Sequence, residues 1–70
     1  MIEVLSTRGK HVDGLTHGQT IIIVQEGGEK IRAKVRLNEH LCTGVTENKV
    51  FHLSYDEVKH YFICNKVSTL

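Results

Sequence analysis

At 70 residues the chain makes one domain, residues 1–70, and a chain of this size buries only roughly 60% of its unfolded surface, so its core is small. An apolar share of 40% and a charged share of 24% exclude a disordered, solvated chain. The formal net charge of +1 excludes a polycation, so contact with nucleic acid would need a local patch and not bulk charge.

No apolar run approaches the ~20 residues of a membrane span. The opening Met-Ile-Glu-Val-Leu lacks the basic region and long apolar core of a secretory signal. Two cysteines are too few for a disulfide framework, and a reducing compartment is the expectation. The chain thus reads as cytoplasmic, working in its own cell or inside a host.

Ile2 to Ser6, rich in aliphatic and β-branched residues, predicts a first strand. Thr7 to Gly18 carries Gly9, Gly14 and Gly18 among Arg8, Lys10, His11 and His17. Asp13-Gly14 signals a two-residue hairpin, which leaves two forms open: a small ribbon of Lys10–Val12 with Leu15–His17, or a surface loop. A phosphate-binding loop is excluded, because Leu15-Thr16 stands where that motif requires Lys followed by Ser or Thr.

Thr20 to Gln25 is apolar on both parities through Ile21, Ile22, Ile23 and Val24, as in a strand covered on both faces. Gly27-Gly28 can adopt the positive φ values of a type I′ turn. A two-residue turn there sets Gln25 against Lys30, Val24 against Ile31, Ile23 against Arg32, Ile22 against Ala33 and Ile21 against Lys34. Ile22, Val24, Ile31, Ala33 and Val35 would then form the core face. Ile21 and Ile23 would share the outer face with Lys30, Arg32 and Lys34.

The next segment has the strongest pattern in the chain. Lys30, Arg32, Lys34 and Arg36 fall on one parity, and Ile31, Ala33, Val35 and Leu37 on the other. Strand side chains alternate between faces, so a strand here presents a stripe of four cations. A helix is the competing assignment, given many good helix formers, but it would set Ile31 and Val35 across from Ala33, Leu37 and Leu41 and split the apolar face.

Leu41-Cys42-Thr43 predicts the start of a strand, with Gly44 as a bulge or bend. Asn48 to Leu53 predicts another, after a turn at Glu47-Asn48. Ser54-Tyr55-Asp56-Glu57 has the form of a capping box, with Leu53 and Val58 placed as a hydrophobic staple. Tyr55, Val58, Tyr61 and Phe62 share one helical face, so a helix is predicted from Ser54 to Ile63 or Cys64. The expected fold is α+β: a small antiparallel sheet or open barrel of four to five strands with one C-terminal helix.

Three constellations can carry chemistry. His40 with Cys42 and His60 with Cys64 are two close pairs of zinc-type ligands, yet the usual cysteine pair with two to four intervening residues is missing, and no metal or other cofactor is assigned. Cys42 or Cys64 beside a histidine is formally a nucleophile, but nothing around either marks an activated thiol, so no catalytic residue is assigned and the chain is not read as an enzyme.

The third constellation is the stripe. Alternate strand residues lie ~6.7 Å apart, so the stripe suits either an acidic protein surface or successive phosphates, and otherwise it is a solvated face that discourages edge pairing. The preferred reading is a protein-binding accessory or inhibitor protein of the compact kind found in phages and other mobile elements. Its partner-binding residues would be Lys30, Arg32, Lys34, Arg36, Ile21 and Ile23, facing an acidic protein partner. The alternatives are a nucleic-acid-binding regulator that adds Arg8, Lys10 and Lys49 to the stripe, and a zinc-stabilised module. A homodimer is also expected, to cover Ile21 and Ile23.

Overall fold

A computed structural model describes residues 2–70. It is all β: β1 (Glu3–Leu5), β2 (Thr20–Val24), β3 (Lys30–Leu37), β4 (Cys42–Val45), β5 (Lys49–Asp56) and β6 (Tyr61–Thr69). Every strand pairs antiparallel with its neighbour in sequence, and β1 meets β6 to close a six-strand barrel. The expected α+β fold, a small antiparallel sheet or open barrel of four to five strands with one C-terminal helix, is therefore corrected to a closed six-strand barrel with no helix among the described residues. No helix among the described residues is long and apolar enough to cross a membrane.

The predicted helix forms the end of β5, a turn and the start of β6. Asp56, and not Ser54, does the capping. Its Oδ1 accepts from the backbone N–H groups of Val58 and Lys59, each at 3.0 Å, and its carbonyl accepts from His60 N–H at 2.8 Å. His60 then takes a positive φ of 59°, and one turn ends before a helix can propagate. Tyr61-Phe62-Ile63 continues as a strand, the conformation aromatic and β-branched residues favour. The staple does not form: Leu53 enters the core, while Val58 is 88% exposed. Ser54 Oγ instead accepts from Asn65 Nδ2 at 2.7 Å.

The β2–β3 connection also differs from expectation. Gly28 N–H donates to Gln25 O and Gln25 N–H to Glu29 O, both at 2.8 Å, and of the two turn glycines only Gly28 has positive φ, at 84°. The loop is a type I turn followed by a left-handed residue, one residue longer than a type I′ hairpin. Val24 consequently pairs with Lys30, Ile23 with Ile31, Ile22 with Arg32 and Ile21 with Ala33. One extra loop residue sends every β2 side chain to the opposite face. Ile21 and Ile23 are fully buried, and Ile22 and Val24 face outward. β3 keeps its predicted faces, because its own alternation specifies them.

The core is Val4, Ile21, Ile23, Ala33, Val35, Phe51, Leu53 and Cys64. Gly44 sits inside the barrel between Val35 and Phe51, where an added Cβ would lie 3.3 Å from Ile21 Cδ1 and 3.5 Å from Ile23 Cδ1. It is a close-approach glycine in a regular strand, and the irregularity falls elsewhere, between β5 and β6 at His52/Leu53.

Residues 6–19 form no ribbon. Ser6 organises a tight turn, its Oγ accepting from Arg8 and Lys10 N–H at 3.2 and 3.3 Å. A single bridge joins Leu5 to His11. His11 stacks on Tyr61 with centroids 3.8 Å apart, and Val12 and Leu15 pack against the core.

A basic outer face on the third strand

Lys30, Arg32, Lys34 and Arg36 all lie exposed on the outer face of β3. Their surroundings follow from the barrel register. Arg32 is opposite Ile22, which is opposite Leu5, so an aliphatic row leads up to the middle of the stripe. Lys34 lies between Thr20 and Val45. Arg36 continues across Thr43 and His52 to Lys66, a fifth cation in the same outward row. A depression of about 310 Å³ beside the stripe is lined by Leu5, Thr7, Gly9, Ile22, Lys30 and Arg32 among others. The turn that carries Arg8 and Lys10 therefore borders the stripe. Lys49 opens β5 opposite Thr69 and belongs to the next hairpin.

None of the four stripe cations is ion-paired among the described residues; the salt bridge from His11 to Glu3, at 3.4 Å, lies apart from them. Their long stems can lie over Ile22 and Leu5 while the charges remain in water. No stacking surface accompanies them. Phe51 is buried, Tyr55 meets Phe62 edge-on with centroids 5.3 Å apart, and Tyr61 is occupied by His11.

Ile21 and Ile23, placed on the partner face by the register of a two-residue turn, belong to the core instead. The aliphatic neighbours of the stripe are Ile22 and Leu5, which the sequence reading missed. The one available signal was that Gln25-Glu26-Gly27-Gly28-Glu29 accommodates a three-residue loop as readily as a two-residue one. With Ile21 and Ile23 inside, the ground for expecting a homodimer also falls away.

The cysteine and histidine pairs do not assemble. His40 and His60 stand exposed in the β3–β4 and β5–β6 loops, Cys64 is buried and Cys42 packs against the core. No group of three or more metal-type side chains forms among the described residues. Burial pushes both thiols above their usual pKa, and at Cys64 it outweighs backbone hydrogen bonds to Lys66 and His52 that act the other way. Such thiols stay protonated near neutral pH, opposite to the activation a nucleophile needs.

The fold and this face define a small antiparallel barrel with a cationic outer strand. No family model, curated protein or solved structure matches the chain.

Proposed function

We propose that the protein works by binding, as an accessory or inhibitor of another protein, and that the outer face of β3 receives an acidic surface on that partner. The observation that carries this reading is the set of four exposed cations without ion pairs, beside an aliphatic row of Ile22 and Leu5. Cations of this kind steer an acidic partner and set its register, and the aliphatic row adds apolar area that outlasts salt screening. A single-stranded nucleic acid is favoured less, since its binders add aromatic platforms to the charge and no Phe or Tyr ring among the described residues is free on this face.

The test is Arg32→Glu with Lys34→Glu, measured by capture of partners from a lysate of the native cell with and without nuclease. Both side chains are exposed, so stability should change by no more than about 0.5 kcal/mol per site while capture is lost. Capture that survives nuclease and weakens only moderately with salt supports a protein partner. Capture abolished by nuclease, or falling steeply with salt, identifies nucleic acid instead. Unchanged capture by the folded double variant removes the face from the function.

A further inference from the structure

Backbone groups of successive strand residues point to opposite neighbours. In β3, Val35 donates to Gln19 O and accepts from Gly18 N–H, and Glu29 O accepts from Gln25 N–H, all at 2.8 Å. The odd-numbered residues thus face β2, and the even-numbered ones, which carry the cations, face β4. Lys34 and Arg36 find strand partners there in Val45 and Thr43. Arg32 and Lys30 do not. β4 ends at Val45, and Thr46 N–H donates to Lys49 O at 2.9 Å and turns the chain into β5. From Lys30 to Ala33, β3 is therefore an open edge among the described residues. A shallow groove of about 270 Å³ lies where β4 departs, lined by Thr20, Arg32, Ala33, Lys34 and Val45.

We infer that the acidic partner docks by strand addition: an extended segment with alternating acidic and aliphatic residues extends the sheet along this edge, antiparallel and in line with β4. The inference rests on the binding function proposed above and specifies its mode. An open edge is a template for any extended chain, and charge selects which one. A second copy pairing through the same edge would set cations against cations, and like charges directly opposite are destabilising. A segment with carboxylates at every second residue sets them opposite Lys30 and Arg32. The intervening aliphatics then fall on the same side as Ile31 and Ala33. Main-chain hydrogen bonds supply affinity and the alternate side chains supply selectivity.

Opposite Lys30 and Arg32, the residues whose N–H groups point at β3 are the acidic ones. The probe is a fluorescein-labelled peptide of alternating Val and Glu, with three analogues: N-methylated at each Glu, N-methylated at each Val, and with Lys replacing Glu. Methylation at Glu removes the N–H groups aimed at β3 and should weaken binding about tenfold or more, as expected for two lost hydrogen bonds. Methylation at Val should leave affinity nearly unchanged. Binding of the parent peptide should slow hydrogen exchange of the Lys30 and Arg32 amides, while the Lys analogue binds only to Lys30→Glu with Arg32→Glu. If both methylated peptides bind like the parent, the acidic-partner reading stands and strand addition is overturned. If no Glu peptide binds while an oligothymidylate does, both are overturned.

Discussion

Gly44 shows how one small residue lets core side chains approach a strand closely. Its strand lies against Ile21 and Ile23, and a Cβ would come within 3.3 Å of the first. Gly44→Val should destabilise the fold by about 1–3 kcal/mol, the usual cost of overpacking a filled core, and urea unfolding would measure it. The cysteines make a second prediction. Both thiols are raised by burial, so the unfolded chain releases these protons first as pH rises. Their contribution to stability is complete below the unfolded thiol value of about 8.5 and is lost as pH climbs through the higher folded values. The urea midpoint should accordingly fall between neutral and alkaline pH, and less steeply in Cys64→Val. An identical slope in that variant would show that the buried thiol is not the titrating group. Alkylation of both cysteines should also be slow in the native protein and fast in urea.

Among the elements, the β5–β6 hairpin separates the two descriptions of residues 54–64. A helix beginning at Ser54 would lose about 1 kcal/mol on Ser54→Ala. In the hairpin, Ser54 makes one exposed side-chain bond to Asn65, and the change should fall within about 0.5 kcal/mol. Asp56→Ala removes the acceptor for two backbone N–H groups and should cost roughly 1 kcal/mol or more. Thermal melts of the two variants decide between the assignments, and the reverse order would restore the helix. The β2–β3 turn offers a parallel case. Gly28 is held at φ 84°, so Gly28→Ala should cost about 1–2 kcal/mol. Gly27, whose φ is not positive, should tolerate alanine.

Across the whole molecule, the ladders differ in length. β5 and β6 pair along eight residues of β5, whereas β1 and β6 share one ladder pair, Glu3 with Ile63. The closing seam is completed by longer bonds, Phe62 N–H to Val12 O at 3.1 Å and Cys64 N–H to Ile2 O at 3.2 Å. Regions with few buried contacts and exposed backbone bonds open first. Among the hydrogen-bonded strand amides, exchange should therefore be fastest at Phe62 and Cys64 on the β1 side, and slowest at Ile21, Ile23 and Ala33 in the β2–β3 ladder. Uniform protection would mean that the barrel opens only by global unfolding. The face proposed to bind lies on the β2–β3 part of the sheet, where slow exchange is expected, which suits a surface that must present its cations in a constant register.

Local pattern alone determined β3 and its two faces. Strict alternation over Lys30–Leu37 leaves one way to bury the apolar set, so strand, parity and cationic stripe were all legible from residue order. β2 had no such protection. With Ile21, Ile22, Ile23 and Val24 apolar on both parities, burying either face satisfies the hydrophobic effect almost equally. The choice passed to the loop before β3 and to the space beside Gly44, which only the assembled barrel reveals. The end of the chain went the same way. A capping box is a signal spanning four residues, and it starts a helix only if the following turns gain more by packing as a helix than as a strand. Here Leu53 and Cys64 lie opposite each other across the β5–β6 ladder and both enter the core. That non-local burial outweighed the local cap, and with it tertiary structure decided the barrel's closure and the residues that flank the stripe.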